Sequence, residues 1–326
     1  MDTLSIIKRP IESELNDFID LFNSSLDHED GLLTQVLHHI KQRGGKRMRP
    51  ILILLIAKSF GKVSPTTQHA AVGLELLHTA SLIHDDVVDE SNERRGQASV
   101  NASYNNKVAV LVGDYVLSTA LQQVGYTNSN SIVKYLAELG QTLSDGEILQ
   151  LSNIKREEIT EAAYLEIIAR KTAILFEICA AIGAESAGVS EEDVALARAF
   201  GKNIGMIFQI RDDIFDYFES EKEIGKPTGN DLTEGKLTLP LIYALNKTSD
   251  ERMMMLARKA KMLSISSKEI EELVTFAKEK GGIEYAEECM KRYHAKAKVF
   301  IDTKISNPVI KQSLSTYLDY IIKRNK

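Results

Sequence analysis

Ile83-His84-Asp85-Asp86-Val87-Val88-Asp89-Glu90 sets three aspartates into an otherwise apolar stretch, and Ile210-Arg211-Asp212-Asp213-Ile214-Phe215-Asp216-Tyr217 repeats the device further along the chain. The first and last aspartate of each motif are four residues apart. On a helix they project from one face with Cβ atoms about 5–6 Å apart, close enough to clamp an oxygen-seeking cation together. Helical periodicity surrounds both motifs and runs nearly from end to end. Val/Ile/Thr alternation is scarce, and only six prolines interrupt the chain. The sequence therefore reads as all-α. Helices are expected over about 10–26, 29–42, 48–60, 66–90, 102–123, 130–150, 160–186, 190–220, 235–246, 249–260, 267–281 and 284–323. Breaks fall at Gly44-Gly45, Gly61 to Pro65, Ser91 to Gly96, Gly188 to Ser190 and Gly225 to Gly235, where turn formers gather. No shift of composition marks a linker, so a single domain over residues 1–326 is expected.

At 326 residues, 44% hydrophobic and 26% charged, the chain has ample material for a large core. Its formal charge of −6 comes from interspersed acids and bases, which argues against a general nucleic-acid binder. Cys179 and Cys289 are too few and too isolated for a disulfide framework or a zinc knuckle, so a reducing compartment is expected. The opening MDTLSIIKRPIESEL lacks the apolar core of a secretory signal, and a cytoplasmic location follows by default. The longest strongly apolar run, Ile51 to Ala57, is far short of the ~20 residues of a spanning helix.

If the two acidic helices face each other, six aspartates converge on one cavity, and without cations their repulsion drives some of them to bind protons. Divalent metal resolves this more simply. All-carboxylate ligation, with no nearby cysteine and no histidine at ligand spacing, points to Mg²⁺, with Mn²⁺ as the alternative. Solvated acidic surface is the competing reading. Two matching motifs embedded in Leu82-Ile83 and Ile207-Phe208 weigh against it.

A metal-held phosphorylated substrate also needs cations. Gly44-Gly45-Lys46-Arg47-Met48-Arg49-Pro50 places Lys46 and Arg49 beside free backbone N–H groups at the start of an apolar helix. Asn92-Glu93-Arg94-Arg95-Gly96 puts two guanidiniums on the loop after the first motif, although pairing with Glu90 or Glu93 is open for either one. Lys226 and Lys236 flank Gly225-Lys226-Pro227-Thr228-Gly229-Asn230-Asp231-Leu232, whose glycines permit close backbone approach. Lys171-Thr172 lies mid-helix. His78, two turns before Asp85, and Gln209, three residues before Asp212, share faces with the motifs, and each is also readable as an ordinary core polar residue.

Taken together, GGKRMRP, LLHTASLIHDDVVDESNERRG, the Lys171-Thr172 pair, FQIRDDIFDYF and GKPTGNDLTEGK occur in one order along nearly the whole chain. In that set the sequence resembles the trans-isoprenyl diphosphate synthases, and within them the long-chain polyprenyl type to which octaprenyl diphosphate synthases belong. The resemblance implies a helical bundle around a central cavity. It implies that Asp85, Asp89, Asp212, Asp213 and Asp216 hold Mg²⁺ on the diphosphate of an allylic substrate, with Asp86 completing the first motif. It further implies that Arg94, Lys171, Thr172, Gln209, Lys226 and Lys236 line that diphosphate, while Lys46, Arg49, His78 and Arg95 hold the diphosphate of isopentenyl diphosphate. Asn230 stands where the family often has Asp, which puts the fine hydrogen bonding of that loop in question.

The implied chemistry is ionisation, condensation and elimination. A carbon–oxygen bond breaks, leaving an allylic cation and a pyrophosphate whose charge metals and cations stabilise, and no protein nucleophile is required. Two diphosphates must be held in register and water excluded. Ala80 and Ser81, one turn below Asp85, are small where an aromatic would close the cavity floor, so a product longer than farnesyl or geranylgeranyl diphosphate is expected. A short-chain synthase, a class I terpene cyclase and a non-catalytic subunit of a heteromeric synthase are the rivals. The DDIFD second motif and the intact Lys46-Arg49 cradle weigh against the last two. A homodimer is expected from the resemblance, as is at most transient membrane contact by the enzyme of a lipid product.

Overall fold

The computed structural model describes residues 2–42, 45–94, 96–154, 159–218 and 228–324. Its helices are α1 (Thr3–Lys8), α2 (Glu12–Ser25), α3 (Leu32–Gln42), α4 (Met48–Phe60) and α5 (Pro65–Val88). A small hairpin of β1 (Glu93–Arg94) and β2 (Gln97–Ala98) follows. Then come α6 (Val100–Ser103), α7 (Asn106–Gly125), α8 (Asn130–Ile154), α9 (Glu161–Ile168), a π-helical turn over Ala169–Ala173, α10 (Ile174–Ser186) and α11 (Glu191–Phe215). The chain ends with α12 (Asn230–Thr233), α13 (Leu239–Thr248), α14 (Glu251–Lys261), α15 (Ser267–Glu279), α16 (Gly282–Lys304) and α17 (Pro308–Lys323). The fold is all-α.

Departures from the expected helices have local causes. The stretch 284–323, read as one helix, breaks between α16 and α17. There Asn307 Oδ1 accepts the N–H groups of Val309 and Ile310 at 3.0 and 3.2 Å, and Pro308 opens α17 without an N–H to donate. The expected helix 102–123 divides in the same way, because Asn105, at φ 131°, caps α7 by accepting Val108 N–H at 3.0 Å. The hairpin pairs Glu93 with Ala98 and Arg94 with Gln97, and Gly96 at φ 76° permits the reversal.

The chain forms two compact units. One comprises 1–140, 178–198 and 304–316, and the other 141–177, 199–303 and 317–326. In the first, α4 is apolar all round. Ile51 to Ala57 are each 0% exposed, the burial expected of a helix with no polar face. Gly183 of α10 lets that segment come close, since a Cβ there would lie 2.7 Å from Ile53 O. Helix α5, started by a Ser64/Thr67 capping box, packs on α7, where Gly73 admits Val124 and Gly113 admits the His84 ring. In the second unit Tyr217, Leu241, Leu245, Leu256 and Leu273 form the core of α13, α14 and α15.

Candidate active site

In the first unit the site residues ride on α5 and its neighbours. Asp85 and Asp89 lie one turn apart at the end of α5, with Asp85 half-buried and Asp89 exposed as its C-cap. Asp86 between them is buried. Its Oδ1 accepts Arg94 Nε at 2.6 Å, while Oδ2 is buried with no hydrogen-bond partner. The hairpin thus folds Arg94 back onto the motif itself, a partner that the sequence does not mark beside the nearer candidates Glu90 and Glu93. Arg95 lies outside the described residues, as do Gly44 and Lys226.

Arg49, on the first turn of α4, makes a two-pronged ion pair with Glu75 of α5, Nε to Oε2 and Nη2 to Oε1, both at 2.9 Å. Glu75 is one turn before half-buried His78, so α5 both aims Arg49 and carries the next polar group of the set. Exposed Lys46 precedes the helix, and Arg47 takes a left-handed φ of 55° to start it. Ala80 is buried on α5, and Ser81 returns its hydroxyl to His78 O at 2.9 Å.

In the second unit the expected residues converge. Thr172 Oγ1 donates to Gln209 Oε1 at 2.6 Å, and Gln209 Nε2 donates to Asp213 Oδ1 at 2.7 Å. Tyr164 Oη donates to Asp213 Oδ2 at 2.5 Å. Burial outweighs these bonds and pushes the Asp213 carboxyl up to about 7. Asp231 is held well above the usual carboxylate range, first by burial and then by the charges of Asp213 and Asp216. Thr172, Gln209, Asp213, Asp231, Lys171 and Lys236 all line one cavity with about 150 Å³ of water-accessible space.

Local packing explains why Lys171 and Thr172 face it. They sit in the π-helical turn, whose backbone presses on two glycines. A Cβ at Gly146 would lie 3.0 Å from Lys171 N, and one at Gly205 would collide with Ala173 Cα. Such turns insert a residue into a helix and reorient the side chains beside it. Lys171 meanwhile pairs with Glu147 at 2.7 Å, and Lys236 with Glu234 at 2.5 Å.

The three aspartates of the second motif have separate tasks here. Asp216 accepts the backbone N–H groups of Asn230 and Asp231, both at 3.0 Å, and so docks the loop that carries Lys236. Asn230 donates its side-chain amide to Glu234 at 2.8 Å, which is the job this departure from the family pattern performs. Asp212 Oδ1 pairs with Arg324, a residue the sequence gave no reason to single out.

Among the described residues no three His, Cys, Asp or Glu side chains form a cage able to hold an ion unaided. The donors are nonetheless oxygens. In each unit they suit a hard cation that takes one or two carboxylates and fills its shell with water and substrate phosphate, as Mg²⁺ does. Asp86 Oδ2 is buried without a hydrogen-bond partner, and Asp213, raised first by burial, is a carboxyl that a nearby cation would hold ionised.

Comparison with known proteins agrees with this chemistry. The polyprenyl synthetase family model matches residues 30–276. Octaprenyl diphosphate synthase of Haemophilus influenzae is 37% identical over 263 residues, covering 81% of this chain and 80% of that one. The crystal structure of a geranylgeranyl pyrophosphate synthase from Bacteroides thetaiotaomicron is 48% identical, with a TM-score of 0.87 over 99% of this chain and 100% of the other. That of a Caulobacter crescentus polyprenyl synthase complexed with calcium and isoprenyl diphosphate is 30% identical, with a TM-score of 0.90 over 99% and 98%.

Proposed function

Because this chain belongs to the polyprenyl synthetase family and is a prenyltransferase, we propose that it extends an allylic diphosphate with isopentenyl diphosphate to a long-chain all-trans polyprenyl diphosphate. The observation that carries the proposal is the cavity where Lys171, Thr172, Gln209, Asp213 and Lys236 meet. Cations and acids side by side suit a bound metal–diphosphate, whereas either alone would suit a simple ion.

Asp85, Asp89, Asp212, Asp213 and Asp216 are the candidates to hold Mg²⁺. When bound, the metal offsets the charge that builds on pyrophosphate as the carbon–oxygen bond breaks. Lys171 and Lys236, once they exchange Glu147 and Glu234 for phosphate, add positive charge to the same leaving group, and Lys226 and Arg94 are assigned the same role. Thr172 and Gln209 orient the group by hydrogen bonds. Arg49, held by Glu75, positions the second diphosphate with Lys46, His78 and Arg95, so that the alkene meets the cation rather than water. The departing pyrophosphate is the candidate base for the final proton loss.

Chain length follows from the floor beneath the first motif. Ala80 and Ser81 are small where an aromatic would close the floor, which supports a long product, and Ala80 is buried at 1% exposure, so a larger side chain there has to displace its neighbours. The 48% identity to a geranylgeranyl pyrophosphate synthase supports a twenty-carbon product as the second reading. Incubation with labelled isopentenyl diphosphate, farnesyl diphosphate and Mg²⁺, followed by product sizing, decides between them. Products beyond twenty carbons that Ala80→Phe shortens are expected. A twenty-carbon limit unaffected by Ala80→Phe would reject the long-chain assignment, and no condensation at all would reject the activity of the isolated chain. A cytosolic homodimer fits this function, and exposed Leu111, Leu121 and Val133 on α7 and α8 supply apolar surface for a second copy.

A further inference from the structure

We propose that Arg324, at the end of α17, is a resident counter-ion for Asp212 that keeps the second aspartate motif from loading metal until diphosphate arrives with it. The proposal rests on the assignment of Asp212 as a metal ligand. Arg324 Nη2 donates to Asp212 Oδ1 and, at 3.0 Å, to Phe208 O, and the guanidinium lies 3.7 Å from the centre of the Phe208 ring. The arginine side chain is only 12% exposed against 40% for Asp212, so the cation is fixed on the inner side and the carboxylate faces the wetter one.

The pair is incomplete in a telling way. Arg324 bonds the aspartate from one nitrogen to one oxygen, and its Nε is buried with no hydrogen-bond partner. An arginine serving only to anchor the chain end would gain more from a two-pronged pair, as Arg49 does with Glu75. Neighbouring Arg211 is also short of a partner at Nε, stacks over Phe215 and donates Nη2 to Arg324 O at 3.5 Å, so a second cation rather than a second acid lies beside Arg324. A metal arriving alone must share the Asp212 carboxylate with Arg324, which sets a dication against a guanidinium that is only 12% exposed. Arriving with diphosphate, it brings an anion to which the guanidinium can turn. Metal and diphosphate are thereby coupled through one side chain.

The test is Mn²⁺ binding followed by electron paramagnetic resonance, with and without pyrophosphate, which involves no turnover. Arg324→Met keeps the apolar stem over Phe208 and removes the charge, and a chain ending at Lys323 is the second variant should the first lose its fold. Without pyrophosphate, R324M is expected to bind Mn²⁺ about tenfold more tightly than the unaltered protein, a typical coupling of 5–150-fold being the frame. Arg324→Lys should behave as the unaltered protein. With pyrophosphate the difference should shrink. Equal Mn²⁺ affinities for R324M and the unaltered protein, while Asp212→Asn weakens binding in pyrophosphate, would overturn the counter-ion role and leave the ligand assignment standing. An Asp212→Asn variant that binds Mn²⁺ normally in pyrophosphate would instead remove the ligand assignment itself, and the proposal with it.

Discussion

Arg49, Arg94, Lys171 and Lys236 are each already committed to a carboxylate, respectively Glu75, Asp86, Glu147 and Glu234. Substrate phosphate must therefore exchange with an acid rather than meet a waiting cation, and the acid serves to hold the long side chain in place beforehand. Glu75 is the clearest case, because both partners are only 15% exposed. Glu75→Gln should cost about 2 kcal/mol of stability, below the 3–5 kcal/mol of a fully buried pair because some solvent reaches it. Arg49 then has to be ordered on binding, so KM for isopentenyl diphosphate should rise roughly three- to tenfold while kcat changes little. Thermal melts and steady-state kinetics check both. Equal loss in kcat and kcat/KM would mean that Glu75 acts in the reaction itself.

At the scale of elements, the π-helical turn decides where Lys171 and Thr172 point. Gly205 has no room for a methyl, so Gly205→Ala should push Ala173 away, cost about 1–3 kcal/mol and reduce turnover more than it lowers the melting temperature would explain. A variant as stable and active as the parent would show that the turn does not depend on this contact. The turn also marks the limit of what the sequence reveals. Ala-Arg-Lys-Thr-Ala is ordinary helix, and the extra residue appears only because Gly146 and Gly205 press on the backbone from other helices. The aspartates were legible because carboxylates inside apolar helix are costly, and Thr172 and Gln209 because they belong to recognisable segments. Tyr164, Glu75 and Arg324 were not, since each is one polar residue whose partner is remote in sequence or unremarkable in spacing. The α16–α17 break was written in Asn307-Pro308 and overridden by the apolar period on either side.

For the molecule as a whole, the first compact unit is assembled from three separate stretches, the last being 304–316. Its two extremes meet directly, with Ser313 Oγ donating to Ile6 O at 3.1 Å, and the last stretch is tied to the middle one by Lys304 paired with Asp193 at 2.8 Å. A chain stopped at Thr303 is expected to be digested by trypsin under conditions the full chain survives, and persistence of an intact 2–140 fragment would refute this. The same arrangement gives α4 an unusual history during synthesis. Gly183, which covers Ile53 and Ile56, emerges about 130 residues after them, so at about 5–20 residues per second this apolar helix waits roughly 6–26 s on the ribosome before that part of its cover exists. Over that interval Ile51 to Ala57 can pack on α2 and α5, which are synthesised before it or soon after, and its Ile53–Ile56 face stays open to a chaperone that binds short apolar stretches.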